Sequence, residues 1–525
     1  MKSQLSFISV SVLCLLSQNL FSADKEKPNV IFILADDIGY GDLGWMGAKT
    51  IQTPNVDRLA DEGIRFTNCH ATSSTSTPSR YGLLTGMYPW RRKDTGIANG
   101  DAPMIIHPDQ YTIADMFKQA GYTTGAVGKW HLGLGGEKGK QNWNGCISPA
   151  LNDIGFDDWL IIAATADRVP CVFVENNRVV NADPNDPIQV SYQKPFPGEL
   201  LGRDHPELLR LHPSDGHDMA IVDGIPRIGY MQGGKSALWH DEDIAGRITN
   251  RAIDFITKNK QQPFFLYFCT NDIHVPRVPN EKFAGKSGMG SRGDAILSFD
   301  YTVEQIMHAL DSLGIADNTI IVLTSDNGPV LDDGYKDNAV ELLGKHKPGG
   351  IFRGGKYSIF EAGTRVPMII RWKNSIKENG ISGALVSQID LMRSLAAMTR
   401  VEIPKEAATD SRNELNALLG KTEKGRDYLI EQNMNNTLSV VNANWKYIEP
   451  GKGPAINEGT NTELGNSPVD QLYDLKNDPG EKNNLADANH KKITAKLQKI
   501  LKREKSDKYI THKYGLHYPT ICHQR

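Results

Sequence analysis

Residues 28–37 read PNVIFILADD, a continuous apolar run from Val30 to Leu34 that ends on two aspartates. An uninterrupted apolar run of this length is typical of a strand buried on both faces of a sheet. Residues 318–328 read NTIIVLTSDNG and repeat the same plan, because the apolar run is followed by Asp326 and Asn327. The two segments therefore predict buried strands that end in oxygen-bearing side chains.

Helix and strand signals alternate between these two segments. Residues 53–62 and 112–120 read as capped helices, and each is followed by a glycine that ends it. Residues 123–127 and 264–269 read as strands, and a helical stretch runs over about 294–313. This alternation predicts an α/β fold, in which a mainly parallel sheet is sandwiched by helices.

Four polar side chains stand at the predicted strand ends: Asp36, Asp37, Asp326 and Asn327. Ligands of open parallel sheets bind beyond the carboxyl ends of the strands, so we expect the chemistry at this edge. Carboxylate and amide oxygens suit a hard cation such as calcium or magnesium. In isolation, Asp-Asp and Asp-Asn-Gly are most often turns or helix caps, so the metal interpretation needs further support.

The helical and strand periodicity weakens from about residue 373. The final hundred residues contain NANWKYIEP, QLYDLKNDPGEKNNLA and a Lys-rich helical end at 493–505. They predict a smaller α+β subdomain, an antiparallel sheet with a terminal helix. A 525-residue chain is long enough for two such units, which we place at 24–425 and 426–525.

The overall charge excludes some partners. The chain carries 59 Lys and Arg residues against 62 Asp and Glu residues, a formal net charge of -3. No basic stripe is visible, so neither nucleic acid nor an anionic membrane is the expected partner. An anionic substrate must therefore be bound by a local cluster of cations.

Residues 1–23 have the pattern of a signal peptide: an early Lys2, an apolar run from Leu5 to Leu16, and the small-residue exit Ser22-Ala23. The apolar run is too short to span a bilayer, and no later segment is long enough, so no integral membrane segment is expected. The mature chain is predicted to be periplasmic or extracellular. Its five remaining cysteines show no CxxC pair, which argues against zinc and allows at most two disulfides.

Residues 76–86, STPSRYGLLTG, are the most specific text in the chain. Read plainly, they form a polar loop that enters a helix whose N-terminus favours an anion beside Arg80. A capping loop explains the first residues equally well. The whole segment, however, resembles the C/S-x-P-x-R-x-x-x-L-T-G element of type I sulfatases, in which the leading residue is oxidised to formylglycine.

Further blocks resemble the same family, in its order, from residue 28 to about 372. They are PNVIFILADDIGYGDLG, TPNVDRLADEGIRFTNCHA, GYTTGAVGKWHLG, SDNG and FRGGKYSIFEAGTRVP. The family belongs to the alkaline-phosphatase-like superfamily, whose fold agrees with the predicted sheet. Serine at position 76 resembles bacterial members that are matured by a radical-type formylglycine-generating enzyme.

The resemblance implies a metal centre and a modified nucleophile. Asp36, Asp37, Asp326 and Asn327 match the ligands of one Ca²⁺ per chain, and formylglycine made from Ser76 completes the set. A hydrated aldehyde offers one hydroxyl to attack sulfur and another to expel sulfate afterwards, which an ordinary serine cannot do.

The resemblance also implies the remaining catalytic residues. Lys129 and His131 lie two apart, so on an extended segment both side chains leave the same face, one to hold sulfate and one to move a proton. Lys356 resembles the second sulfate-binding lysine. Protonated His274 matches the histidine that donates to the leaving alkoxide, and Arg80 matches the residue that fixes the formylglycine hydrate. Asp326 could in addition accept the proton of the attacking hydroxyl.

The substrate depends on an insertion that provides Asp167, Arg168 and His217. These are either ordinary loop residues or a sugar-binding set, because the segment around them resembles galactose- and N-acetylgalactosamine-6-sulfatases. In the second case, Asp167 and His217 bond to the axial hydroxyl of a galacto-configured sugar, with Arg168 alongside. The predicted function is exo-acting removal of 6-sulfate from galactose or N-acetylgalactosamine in a sulfated glycan.

Two other classes stay open at this point. A phosphatase or phosphodiesterase of the same superfamily would share the metal-binding strands, although it commonly uses an unmodified Thr or Ser. A non-catalytic protein that binds sulfated glycans would result if Ser76 were not matured. The complete signature and the paired Lys129 and Lys356 favour the sulfatase.

Overall fold

The computed structural model describes residues 27–506, and its centre is a ten-stranded sheet. In spatial order, the strands are Gly380–Ser382, Ile64–Phe66, Met368–Arg371, Thr319–Ser325, Asn29–Ala35, Phe264–Cys269, Thr123–Lys129, Asp158–Ile162, Phe173–Glu175 and Arg178–Val179. The five strands from Thr319–Ser325 to Asp158–Ile162 run parallel, and antiparallel neighbours flank them on both sides. The predicted, mainly parallel sheet is confirmed.

The strand Asn29–Ala35 lies in the middle of this sheet, and all seven of its residues are buried. Its neighbours Phe264–Cys269 and Thr319–Ser325 are also buried throughout. Because helices cover both faces, these strands carry continuous apolar runs instead of the alternating pattern of a half-exposed strand.

Helices pack on opposite faces of the sheet. The Phe255 ring lies 2.5 Å from where a Cβ on Gly125 would be, so only glycine allows this approach. Phe117 stacks on Phe265 with ring centroids 4.3 Å apart. Gly125 pairs with Leu266, the residue after Phe265, so side-chain alternation places the two contacts on different faces. The α-helices are Pro54–Asp61, Ser76–Thr85, Ile113–Gln119, Ile244–Asn259, Gly290–Ser312, Glu361–Thr364, Leu391–Thr399, Leu415–Leu418 and Lys491–Ser506.

A smaller unit follows near the C-terminus. It is a four-stranded antiparallel sheet, in the order Leu429–Gln432, Leu438–Val441, Trp445–Ile448 and Gln471–Asp474. The helix Lys491–Ser506 packs on its two central strands and buries Leu497 and Leu501 there. The predicted antiparallel sheet with a terminal helix is confirmed, whereas the exact limit between residues 425 and 426 stays a prediction.

Short two-stranded ladders complete the described chain. They pair Cys69–His70 with Val386–Ser387, Gln189–Ser191 with Tyr230–Gln232, Ile221–Val222 with Ile225–Pro226, and Ile456–Asn457 with Thr462–Glu463.

A buried ionic network joins the C-terminal sheet to the helix Glu361–Thr364 and to the short strand Cys69–His70. Lys446 donates to Glu361 and Glu431 over 3.0 and 2.9 Å, and Glu431 also lies 2.7 Å from Nδ1 of His70. All four side chains are fully buried. Breaking one partner out of such a network typically costs ~3–5 kcal/mol, so the C-terminal sheet is firmly held against this helix and this short strand.

Three predictions concern the chain's export and its cysteines. The signal peptide expected at residues 1–23 lies outside the described residues. Between residues 27 and 506, no helix has the length and apolarity needed to cross a bilayer. Cys69, Cys171 and Cys269 are buried free thiols, and Cys146 is disulfide-bonded.

Candidate active site

Strand register brings the predicted site residues to one edge of the large sheet. Ala35 pairs with Ser325, so Asp36 and Asp326 leave the sheet side by side. Lys129 is the last residue of its own parallel strand at the same edge. Parallel neighbours end at one edge, and loops from that edge meet above the sheet.

Ser76 lies at the centre of this edge. It is the first residue of the helix Ser76–Thr85 and is buried. Its Oγ lies 2.5 Å from Oδ2 of Asp326, 2.8 Å from Nζ of Lys129 and 3.4 Å from Oδ1 of Asn327. The side chain that the sequence identifies as the nucleophile therefore contacts a carboxylate, a cation and an amide oxygen.

Each member of the aspartate pair has its own lysine. Nζ of Lys129 lies 2.6 Å from Oδ1 of Asp36, and Nζ of Lys356 lies 2.8 Å from Oδ2 of Asp37. Arg80 donates from Nε and Nη2 to Oδ2 of Asp326, over 3.0 and 2.8 Å. These contacts keep like-charged carboxylates together in a site with almost no solvent exposure.

The two aspartates differ in charge state. The pKa of Asp36 is raised to about 7, because burial, with smaller contributions from Asp326 and Asp37, outweighs the opposing effects of Lys129 and Arg80. Burial also acts on Asp37, but Lys356, His274 and Lys129 outweigh it and hold the pKa of that carboxyl well below its usual range.

The donor set fits a hard cation. Oδ2 of Asp36 is buried and has no hydrogen-bond partner among residues 27–506. The Asn327 amide donates to Asp37 through Nδ2, which leaves its Oδ1 directed toward Ser76. An unpartnered carboxylate oxygen beside other oxygen donors is the ligand chemistry of calcium.

The same-face argument for Lys129 and His131 is wrong. The strand ends at Lys129, and His131 has a φ of 59°, which lies in the left-handed region, so strand alternation does not apply. Its Nε2 lies 2.9 Å from the Ala98 carbonyl, an acceptor only, so Nε2 carries the proton. Burial and then Lys129 lower the pKa of His131 well below its usual value. The neutral ring thus has a buried Nδ1 that has no hydrogen-bond partner among residues 27–506 and can accept a proton.

His274 differs from the sequence-based expectation in its charge. Its Nδ1 donates to the Val275 carbonyl over 2.7 Å, and its Nε2 lies 4.0 Å from Oδ2 of Asp37. Burial, Lys356 and Lys129 lower the pKa of His274 to about 4. The ligand-free pocket therefore favours a neutral ring at pH 7, whereas a general acid must be protonated.

The three predicted sugar-binding residues meet at Asp167, which lies near His274. Oδ2 of Asp167 accepts from Nη1 of Arg168 and lies 2.9 Å from Nε2 of His217, while its Oδ1 is 3.9 Å from Nδ1 of His274. Nδ1 of His217 lies 2.7 Å from the Asp215 carbonyl. Both ring nitrogens of His217 therefore face oxygen acceptors. This leaves Asp167 and the Nε of Arg168, which has no partner in the described part of the chain, to contact a ligand.

Sequence reasoning missed Asp333 and Tyr357. Lys356 donates to Oδ2 of Asp333 over 2.8 Å, and the Tyr357 hydroxyl donates to Oδ1 of the same carboxylate over 2.8 Å. Tyr357 has a φ of 77°, a conformation that costs a non-glycine residue ~1–3 kcal/mol. The only signal in the sequence was the position of Tyr357 next to Lys356, because Asp333 lies in a loop without a motif.

This geometry defines a class of protein. A buried hydroxyl lies at a helix N-terminus, at the edge of a parallel sheet, and is surrounded by carboxylates, two lysines and two histidines. Such a site is suited to hydrolysing esters of a tetrahedral oxyanion. The sulfatase family model, described as Sulfatase, matches residues 28–401. The chain therefore belongs to the sulfatase family and is a sulfuric ester hydrolase.

Similar proteins extend over most of the chain. An N-acetylgalactosamine-6-O-sulfatase of Bacteroides thetaiotaomicron is 56% identical over 92% of this chain and 94% of its own length. A human N-acetylgalactosamine-6-sulfatase is 30% identical over 76% of this chain and 67% of its own. A solved structure from a study of glycosaminoglycan metabolism by Bacteroides thetaiotaomicron is 56% identical, with a TM-score of 0.90 over 92% of this chain and 100% of the other.

Proposed function

We propose that this sulfatase is an exo-acting enzyme that removes the 6-sulfate from galactose or N-acetylgalactosamine units of sulfated glycans. It depends on one calcium ion and on formylglycine made from Ser76. The observation that carries the proposal is the position of the Ser76 hydroxyl, within 2.8 Å of both Asp326 and Lys129. The similarity to the 56% identical N-acetylgalactosamine-6-O-sulfatase supports the choice of sugar.

Charge balance supports a divalent cation together with an anionic ester. The centre contains four carboxylates and three cations, namely Asp36, Asp37, Asp326 and Asp333 with Arg80, Lys129 and Lys356. When all seven side chains are ionised, one net negative charge remains, which opposes the binding of an anion. A divalent cation reverses that sign, and the singly charged sulfate ester then completes the balance.

Asp36, Asp37, Asp326 and Asn327, with converted Ser76, would hold the calcium ion. When bound, this ion supplies positive charge that stabilises the nucleophilic oxygen and a sulfate oxygen. Converted Ser76 would supply the attacking hydroxyl of an aldehyde hydrate, and its second hydroxyl would release sulfate as the carbonyl re-forms.

The protein's own side chains bind the sulfate group and move protons. Lys129 and Lys356 hold the sulfate oxygens. Asp326 lies 2.5 Å from Oγ of Ser76, and it stays ionised because Arg80 and Lys129 outweigh its burial and lower its pKa, so it can accept a hydroxyl proton. Neutral His131 offers Nδ1 for the proton of the second hydroxyl.

His274 is proposed to protonate the leaving sugar oxygen. Its pKa of about 4 belongs to a pocket in which Lys356 and Lys129 face no bound anion. A sulfate ester held by these lysines offsets their charge, so substrate binding favours the protonated ring. Proton uptake then occurs together with substrate binding.

Recognition of the galacto configuration is assigned to Asp167 and Arg168. Asp167 borders His274, Arg168 donates to Asp167, and the Nε of Arg168 is buried without a partner among the described residues. His217 is proposed to keep Asp167 oriented. Burial alone would lower the pKa of His217, but the hydrogen bond and the charge of Asp167 outweigh burial, so the pKa of His217 is raised. An imidazolium bonded to a carboxylate is a charge-assisted pair.

Two further proposals concern the life of the chain before catalysis. The leader at residues 1–23 would export the protein to the periplasm or beyond. A radical-type formylglycine-generating enzyme would convert Ser76. Sulfated glycans are then the partners that the mature enzyme meets.

A panel of monosaccharides sulfated at the 6-, 4-, 3- and 2-positions, in galacto and gluco configuration, tests the proposed substrate. Release of sulfate is measured for matured protein with calcium, and a matched aryl sulfate and aryl phosphate test the ester class. We expect turnover of the 6-sulfated galacto sugars and of sulfate rather than phosphate. Equal rates on both epimers would remove Asp167 and Arg168 from sugar recognition.

A further inference from the structure

Lys356 contacts two carboxylates, and one of them lies outside the set that would hold calcium. Its Nζ donates to Oδ2 of Asp37 and to Oδ2 of Asp333, both over 2.8 Å. Asp333 is buried and in turn accepts from the Tyr357 hydroxyl through Oδ1. The geometry points to Asp333 and Tyr357 as positioning residues that aim Lys356 at the sulfate group. This inference rests on the proposed role of Lys356 in sulfate binding.

The ammonium group explains why two acceptors matter. A lysine Nζ has three N–H bonds and otherwise rotates freely at the end of a flexible stem. Asp37 and Asp333 occupy two of those bonds from fixed positions, so the direction of the third is determined. The remaining N–H is the one available to a sulfate oxygen.

The backbone holds both ends of this arrangement. The amide of Lys356 donates to the Pro329 carbonyl and that of Tyr357 to the Ser74 carbonyl, both over 2.8 Å. The left-handed φ of 77° at Tyr357 turns the neighbouring side chains of Lys356 and Tyr357 toward the carboxylate of Asp333. A strained residue whose own amide and that of its neighbour are both hydrogen-bonded, and which bonds to a site carboxylate, indicates function rather than accident.

The Asp333 loop is anchored independently. Ser214 donates its hydroxyl to Asp332 over 2.6 Å and its amide to the Gly334 carbonyl over 2.9 Å. Asp333 therefore stands between two anchored neighbours. Its carboxylate can keep Lys356 in place when Asp37 is drawn toward a cation.

The test compares Tyr357→Phe and Asp333→Asn with wild type on 4-nitrophenyl sulfate and on a 6-sulfated galacto sugar. Tyr447→Phe is the matched control, because its hydroxyl also bonds to an aspartate, Asp470, over 2.6 Å but in the C-terminal sheet. Steady-state kinetics and the inhibition constant of inorganic sulfate are measured. Thermal unfolding and calcium binding verify that each variant is folded and loaded.

We expect Tyr357→Phe to weaken inhibition by sulfate and to raise KM for both esters about tenfold, because a hydrogen bond to a charged group is lost. Asp333→Asn should have the same effects more strongly. Tyr447→Phe should match wild type. In a Lys356→Ala background, Tyr357→Phe should change nothing further, because its effect passes through the lysine.

Three results would overturn the inference. The first is an unchanged inhibition constant of sulfate in Tyr357→Phe. The second is an effect of Tyr357→Phe that adds fully to the effect of Lys356→Ala. The third is a loss of activity, in Tyr357→Phe and Asp333→Asn, that is confined to the sugar substrate. The last result would mean that Asp333 contacts the sugar instead of positioning Lys356. If wild type hydrolyses the aryl sulfate but no galacto 6-sulfate, the proposed substrate fails while this test still stands.

Discussion

Calcium binding should expel a proton from Asp36. Burial and neighbouring carboxylates raise the pKa of this side chain to about 7 in the metal-free site. About nine-tenths of metal-free molecules then carry the proton at pH 6, about half at pH 7 and about one-tenth at pH 8. Because a bound divalent cation favours the ionised carboxylate, binding should release roughly those fractions of a proton. The apparent affinity should be about tenfold weaker at pH 6 than at pH 8.

Isothermal titration calorimetry measures this release directly. Chelator-stripped protein is titrated with calcium chloride at the three pH values, each in two buffers that differ in ionisation enthalpy. Asp37 contributes no proton, because its pKa lies well below the usual range. His274, with a pKa of about 4, is already neutral at pH 6.

Two variants make the calcium experiment specific. Asp36→Asn keeps an oxygen donor but has no proton to lose, so weaker binding without the pH-dependent release is expected. Asp272→Asn is the matched control, since burial raises the pKa of Asp272 to about 6 but this residue is not a proposed ligand. Heats that are independent of buffer at pH 6, or an unchanged proton release in Asp36→Asn, would refute the reasoning. No binding at any pH would remove the metal assignment.

The remaining predictions separate the other roles. Ser76→Ala should abolish turnover of every sulfate ester, and mass spectrometry of the native peptide should show Ser76 lighter by about two hydrogens after conversion. His274→Ala should lower the rate on a sulfated sugar roughly 100- to 10,000-fold. The rate on an aryl sulfate should fall far less, because its phenolate leaves without a proton; equal losses of rate on both substrates would exclude His274 as the acid. Asp167→Asn should reduce the rate on the galacto 6-sulfate by a factor that corresponds to ~1–3 kcal/mol. The ratio of the rates on the galacto and gluco epimers should fall as well. Gly334→Ala should impair turnover of the sugar substrate, since the added Cβ would lie 1.9 Å from Nδ1 of His217; unchanged sugar kinetics would contradict this.

Local pattern explains the success of the fold prediction. The runs at 30–34, 264–269 and 319–323 are apolar throughout because their strands are buried on both faces, and that signal survives in the bare sequence. Thr112 forms a capping box with Asp115, which is also a short-range feature. Both depend on residues close in the chain, so no tertiary information was needed.

The candidate site could be predicted in part for the same reason. Ser76, Lys129 and Asp326 are each embedded in a motif. The parallel register brings Lys129 and Asp326 to one edge, where the N-terminus of a helix places Ser76. Asp333 has no such motif. It meets Lys356 through a loop that is held by Ser214, 119 positions earlier, and sequence spacing does not encode that contact.

Charge states were decided only by the tertiary structure. The sequence predicts that His274 is a protonated acid, but burial beside two lysines favours a neutral ring. It also predicts that His131 is a strand residue on the same face as Lys129, but the strand ends before His131. The pKa of a buried group depends on desolvation and on charges within a few ångströms, which come from distant parts of the chain. The sequence by itself thus determined the family and the sheet, and it supplied the candidate site residues. Their protonation, orientation and supporting partners followed from packing, because those properties arise only when separate segments exclude water together.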